Sequence, residues 1–196
     1  MTGRDLRAAS VERLFADAGA LLEGHFLLKS GRHAPRYLEK FLVLQHPRHG
    51  VELCRRLAEA LEPHAPSLIV GPTTGGVLLS FETARQLGGS VRAAFAEPAE
   101  GGGRRLRRGW AVATDERVTI VDDILTTGAS LLETIDAVRA AGVEPVAAAV
   151  IADRSNGSVD VGIPVHALGR IEIASVEATD CDQCAAGVPL ERRGAS

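Results

Sequence analysis

The chain has 196 residues and a net charge of −3, with 45% hydrophobic and 24% charged residues. That length carries one domain with a substantial core, the composition is that of a soluble globular protein, and the missing basic excess argues against a large nucleic-acid surface. No apolar run reaches the about 18 residues of a membrane helix, and the charged start MTGRDLRAASVERL has no signal-peptide core, so we expect one cytoplasmic domain over 1–196 with small-molecule partners and no membrane.

After Ser10, a candidate cap, Val11, Leu14, Phe15, Ala18 and Leu22 fall on one helical face over residues 10–22. Residues 24–33 read as a short strand entering a turn that holds Lys29 and Arg32, and 37–44 as a second apolar segment. A hairpin-like hood is therefore expected over about residues 20–45. Lys29 and Lys40 are the only lysines, so chemistry that needs an ammonium has few places to look. Val51, Cys54, Leu57, Ala58 and Leu61 form the stripe of another helix, ended by Pro63 and Pro66, which makes Cys54 a buried core thiol. A strand at 67–70 runs straight into Gly71-Pro72-Thr73-Thr74-Gly75-Gly76, whose N–H groups could meet an anion; an ordinary tight turn has the same look. This loop is neither GxxxxGK[ST] nor GxGxxG, so a nucleoside-triphosphatase or dinucleotide reading has no support. Val77, Phe81, Ala84 and Gly88 mark the next helix face, and 91–95 the next strand.

Residues 96–109, AEPAEGGGRRLRRG, break every period. They read as a mobile basic loop that could close over a bound anion, with Arg104, Arg105, Arg107 or Arg108 supplying charge, or as a solvated hairpin tip. Residues 118–121 are a β-branched strand closed by Asp122 and Asp123, and Thr126-Thr127-Gly128 turns the chain into a helix. That helix begins at Ala129 or a turn later, since Ser130 and Glu133 have capping-box spacing. Here Thr126, Thr127, Gly128 and Ser130 could wrap a terminal phosphate, while Asp122 and Asp123 could hold ribose hydroxyls or a hydrated Mg²⁺. The ligand type that suits both is a sugar phosphate; the plain alternative is a βα loop with an acidic pair and a hydroxyl cap. Residues 145–151 are all apolar, as in a buried parallel strand, and Asp153-Arg154 follow at once. Arg154 could fork onto a carboxylate or a uracil-like edge, or form a strand-end ion pair. Cys181 and Cys184 make one CxxC, half a zinc site with no second half evident and without the strand-then-helix setting of a redox pair; a structural role is expected. Strands near 67–71, 91–95, 118–122 and 145–151 alternating with helices imply a parallel sheet, with the loops at its C-terminal edge meeting in one crevice.

The run VTIVDDILTTGAS resembles the phosphoribosyl pyrophosphate (PRPP) motif of the type I phosphoribosyltransferases, and within that family looks most like the orotate phosphoribosyltransferases. FLLKSGRHAPRYLEKFLVL, GPTTGGVLLSFETARQLG and Asp153-Arg154 resemble three further family segments in the right order. The resemblance implies an α/β fold of type I phosphoribosyltransferase kind, a parallel sheet flanked by helices under a small hood from about 20–45 and in part 164–180. It implies transfer of the phosphoribosyl group from PRPP, with Mg²⁺, to orotate, giving orotidine 5′-monophosphate and pyrophosphate in pyrimidine biosynthesis, usually by a homodimer. Carried onto this chain, PRPP would lie on Asp122, Asp123, Ile124, Leu125, Thr126, Thr127, Gly128, Ala129 and Ser130, with Thr73, Thr74 and the loop arginines at its pyrophosphate. Lys29 would reach the pyrophosphate and base, Tyr37 and Leu38 would lie against the pyrimidine, and Arg154 and Thr126 would select orotate. Lys29, Asp122 and Asp123 would form the catalytic set. Two positions depart from the family: Leu38 stands where a second aromatic is common, and Glu97-Pro98 where an Arg-Lys pair would fall. The alternatives are a purine phosphoribosyltransferase with the same PRPP loop and a non-catalytic sensor of PRPP or a nucleotide.

Overall fold

The structure is a computed structural model that describes residues 3–28 and 30–193. Two short helices, α1 (Gly3–Ala8) and α2 (Val11–Asp17), open the chain. Ser10 caps α2, its hydroxyl accepting from the Arg13 N–H at 3.1 Å, and Val11, Leu14 and Phe15 enter the core. The helical stripe expected to continue to Leu22 stops at Asp17: the Ala20 N–H donates back to the Phe15 carbonyl at 2.8 Å, and Leu21 already belongs to β1 (Leu21–Leu27). Antiparallel β2 (His33–Leu38), α3 (Lys40–Leu44) and α4 (Pro47–Leu61) follow. Pro47 opens α4 at no hydrogen-bond cost, because an N–H at that position has no helical partner. Leu53, Cys54, Leu57, Ala58 and Leu61 are buried, but Val51, spaced on the same stripe, stays exposed. Burial pushes the Cys54 thiol up to about 12, as befits a core side chain.

Strands and helices then alternate: β3 (Leu68–Pro72), α5 (Gly75–Leu87), β4 (Arg92–Pro98), β5 (Arg104–Leu106), β6 (Val118–Leu125), α6 (Ala129–Arg139), β7 (Ala147–Asp153) and β8 (Val165–Ala167). A one-turn helix, α7 (Asp182–Ala185), and β9 (Glu191–Arg192) complete the chain described. The main sheet has the order β5-β4-β3-β6-β7-β8 and is parallel except for β5. Side-chain alternation along its central strands divides the core in two. Ile69, Val121, Ala149 and Ile151 pack against α2, α4 and α5, while Val70, Ile120, Ala148 and Val150 pack against α6. With both faces covered, β7 is buried at every position, which is why its sequence carries no polar alternation.

One helix face differs from its spacing in the sequence. In α5, Leu79, Ser80, Thr83 and Ala84 turn inward, whereas Leu78 is 54% and Phe81 66% exposed. Gly76 docks onto Gly71 and Pro72 of β3 and Gly75 against Asp123 of β6, close approaches that constrain the rotation of that helix and that hydrophobic spacing does not encode.

The C-terminal ends of β3, β6 and β7 lie side by side, so the loops leaving them open on one edge. Beside that edge stands a second sheet, β2-β1-β9, with β9 parallel to β1. Residues 164–180, expected to share in the hood, divide: β8 is an edge strand of the main sheet, while Val176 pairs antiparallel with His33 of β2. No helix among the described residues is long and apolar enough to cross a membrane.

Candidate active site

The turn from β6 into α6 is made by Gly128, which caps the helix at φ 80°. A side chain there would both oppose that φ and place its Cβ 2.6 Å from Val159 Cγ1. The capping box expected of Ser130 and Glu133 does not form: the cap is Gly128, the Thr127 hydroxyl accepts the Ala129 N–H at 3.5 Å, and Glu133 instead lies 3.3 Å from Arg104 Nε. The first α6 N–H groups therefore have no carbonyl partners, and the first bond back into the turn is Leu132 N–H to Gly128 O at 2.8 Å. Thr126 and Thr127 flank them, exposed, so the loop presents N–H groups, hydroxyls and the positive helix end to one anion-sized space. The side chains of Ile124 and Leu125 pack into the two cores, which leaves their backbone alone to face a ligand.

Asp122 and Asp123 are both buried at the end of β6. The Asp122 carboxylate accepts the Asp123 N–H and the Asp123 carboxylate accepts the Ile124 N–H, each at 2.8 Å. Lys40 Nζ, from the start of α3, lies 3.0 and 2.8 Å from the two oxygens of Asp123. Asp122 has no such cation, and burial together with the neighbouring Asp123 charge pushes its carboxyl up to about 7. In the sequence Lys40 stands out only as one of two lysines, and that scarcity is the one signal that marks it.

The loop after β3 folds back on its own strand. A Cβ on Gly71 would lie 2.3 Å from the Gly76 carbonyl oxygen, and one on Gly75 would lie 2.4 Å from Asp123 Oδ2, so these glycines let the loop and the acidic pair touch. The Thr73–Thr74 peptide is cis. Residues 96–109, read from the sequence as a mobile basic loop or a solvated hairpin tip, form an arm in which β4 and β5 pair as an antiparallel hairpin, Ala96 opposite Leu106 and Pro98 opposite Arg104. Arg104 points inward: its Nη1 donates to Thr73 O, Thr73 Oγ1 and Ala96 O, each at 3.2 Å. Arg108 is engaged elsewhere, 2.7 Å from Glu97 and over the Phe95 ring at 5.9 Å. Arg105 and Arg107 are exposed and make no ion pair among the described residues. Of the four arginines in the arm, Arg104 is the one the structure places at the glycine loop.

Arg154 follows β7, its N–H donating to Leu125 O at 2.8 Å. The ion pair with Asp153 does not form, because the Asp153 carboxylate accepts from the Ser155 N–H at 2.7 Å and hydroxyl at 2.6 Å. Arg154 Nε is buried without a hydrogen-bond partner. Burial lowers its pKa and the facing Tyr37 offsets part of that, while burial and Glu39 raise that of Tyr37. Arg154, Asn156 and residues 171–174 line a cleft of about 380 Å³. Leu38 does not share it: as the next residue along β2 it faces the opposite side and is buried in the core with Leu14 and Phe15. Lys29 lies outside the described residues.

The arrangement joins an anion loop, a buried acidic pair, a glycine loop held by an arginine, and a cleft with an unpartnered guanidinium. Residues 44–182 match the family model described as the phosphoribosyl transferase domain. The orotate phosphoribosyltransferase of Pelotomaculum thermopropionicum is 45% identical over 181 residues, covering 92% of this chain and 94% of that protein. The orotate phosphoribosyltransferase of Thermotoga maritima is 38% identical over 184 residues, covering 94% and 97%. Among solved structures, the Mycobacterium tuberculosis orotate phosphoribosyltransferase in complex with Fe(III) dicitrate shares the fold at a TM-score of 0.69 and 22% identity, covering 85% of this chain and 97% of that one. The same enzyme in complex with PRPP superposes at a TM-score of 0.64 with 20% identity, covering 86% and 93%. The chain belongs to the phosphoribosyltransferase family, in its orotate phosphoribosyltransferase group.

Proposed function

We propose that this protein transfers the 5-phosphoribosyl group of PRPP to orotate, releasing pyrophosphate and orotidine 5′-monophosphate in pyrimidine biosynthesis. The observation that carries the choice of base is Arg154, a cation held in the cleft wall with a buried donor still to be satisfied. A carboxylate-bearing pyrimidine supplies the missing acceptor, and Tyr37 beside it offers a flat face. Thr126 stands at the mouth of the same loop edge.

In this reading the 5′-phosphate sits on the Thr126–Ser130 turn and the ribose hydroxyls on Asp122 and Asp123, so that the anomeric carbon lies between the two leaving and entering groups. Thr73 and Thr74 with Arg104 face the pyrophosphate, and Lys29 joins them from the hood. Lys40 holds the Asp123 carboxylate in place as a hydroxyl acceptor. Mg²⁺ carried on PRPP would be met by Asp122 and Asp123, hard oxygen donors of the kind it takes, and would offset the charge of the departing pyrophosphate. No protein nucleophile is required: an oxocarbenium-like transition state needs placement and charge stabilisation, which these groups supply. The arm favours one further reading. Glu97 occupies Arg108, so a sensor that binds PRPP without turnover would also leave Arg104 as the sole inward arginine of the arm.

Leu78 and Phe81, exposed one turn apart just after the glycine loop, support a homodimer in which a second copy covers them and steadies Thr73 and Thr74. The cytoplasm is the compartment proposed.

Pyrophosphate release should require PRPP and orotate together and stay at background with adenine or hypoxanthine; PRPP binding with no pyrophosphate released whichever base is added selects the sensor. Arg154→Ala should raise the KM for orotate by about 10- to 100-fold, the worth of a charge-assisted hydrogen bond, with KM for PRPP little changed. Equal rises in both would remove Arg154 from the base.

The raised Asp122 pKa gives a pH signature. Between its ordinary value of 3.8 and about 7 the folded chain holds a proton that the unfolded chain has released, so Asp122 makes stability fall as pH rises through that window. Asp122→Asn should therefore be more stable than the parent at pH 8, by up to about 4 kcal/mol, with the difference closing toward pH 4, while turnover drops at least about tenfold. Thermal melts across pH check the first part and steady-state rates the second. Replacing Leu78 and Phe81 together by Glu should turn a dimer into a monomer in light scattering; an unchanged mass would place the interface elsewhere.

A further inference from the structure

The CxxC of the C-terminal segment has its other half in the hood, and we propose that His25, His33, Cys181 and Cys184 form a Cys₂His₂ site for one Zn²⁺ per chain. The proposal is independent of the catalytic reading. The four donor atoms, one from each side chain, lie within 4.8 Å of one another although they come from β1, β2 and α7. His25 Nε2 is 3.1 Å from His33 Nδ1, 3.3 Å from Cys181 Sγ and 3.6 Å from Cys184 Sγ. Cys184 Sγ is 3.2 Å from His33 Nδ1. Tetrahedral zinc with Zn–N near 2.0 Å and Zn–S near 2.3 Å requires ligand separations of about 3.3 Å between nitrogens and about 3.5 Å between nitrogen and sulfur. The cluster already has nearly those dimensions.

Protonation points the same way. His25 Nδ1 lies 2.9 Å from the Val188 carbonyl oxygen, which can only accept, so Nδ1 carries the hydrogen and Nε2 presents a lone pair to the other three donors. A backbone carbonyl that orients a histidine from its far nitrogen is the usual support of a metal-bound imidazole. One lone pair can take one hydrogen, yet three polar atoms crowd it within 3.6 Å. A cation at the centre satisfies all four at once. The cysteines are not joined as a disulfide. Two imidazoles and two thiolates in a tetrahedron select Zn²⁺ over Mg²⁺ or Ca²⁺, and four protein ligands leave no open position for catalysis.

Its effect is mechanical. His33 opens β2, the strand that leads to Tyr37 and Lys40, and its backbone also pairs with Val176. The metal would pin α7 to the hairpin from one side while β9 pairs with β1 nearby.

The untagged full-length chain, purified without chelator, should carry about one zinc by elemental analysis, and Co²⁺ exchanged into it should show the visible absorption of a tetrahedral thiolate complex. Removing the metal with 1,10-phenanthroline should lower the melting temperature, and adding Zn²⁺ should restore it. Cys181→Ser with Cys184→Ser should abolish stoichiometric zinc. Should that pair fail to fold, the single Cys184→Ser, at an exposed position, should still alter the Co²⁺ spectrum. Metal-free protein whose melting ignores Zn²⁺, a Cys181–Cys184 disulfide in the protein as purified, or full zinc retained in the double variant would each overturn the site.

Discussion

Two carboxylates side by side on a buried strand repel each other and resist loss of water, and the protein meets both costs by bringing Lys40 from α3 onto the oxygens of Asp123. That contact fixes more than charge. Lys40 follows β2 directly, so the ion pair also registers the hood against the end of β6. On the other side of Asp123, Gly75 comes so near that no side chain could stand there. The hood, the acidic strand and the glycine loop therefore meet at one carboxylate, while burial and the Asp123 charge push the Asp122 carboxyl up to about 7.

Around this centre the crevice is divided by chemistry. Backbone N–H groups and hydroxyls gather at the start of α6, and Arg104 braces the glycine loop through Thr73 while touching Glu133 of α6. The arm is thus coupled to both anion-facing loops. Arg154 and Tyr37 stand at the other end, where Ile171 and Ile173 line the cleft together with the exposed Glu172. Glu97 holds Arg108 on the outer side of the arm, so the arm's charge is spread unevenly, with Arg104 inside and the rest toward solvent.

Much of this architecture was legible because the strands are short β-branched or apolar runs bounded by glycine, proline and acid, and each runs straight into its loop. The order of the four motifs pointed to the edge where they meet. Helix faces were less legible: Phe81 and Val51 have the spacing of core residues, yet the docking of Gly75–Gly76 and the start at Pro47 rotate them outward. Leu38 illustrates the period of two, by which neighbours on a strand cannot face the same ligand. Ser130 and Glu133 had the spacing of a cap, but the anion turn takes Gly128 instead, and Glu133 goes to a charge supplied from the arm. The pairing of His25 and His33 with a CxxC is a long-range contact that no local pattern records.

The small sheet has a property that follows from where its strands lie along the chain. Phe26 pairs with Glu191 across it, and His25 bonds the Val188 carbonyl beside it, 163 positions away, so that sheet is closed by segments near opposite ends of the described chain. Loop closure over such a span is slow compared with the neighbouring pairings that assemble the main sheet. Closing the smaller sheet thus depends on contacts of far greater sequence separation than those of the six-stranded sheet, and its assembly is expected to lag behind that of the scaffold it borders.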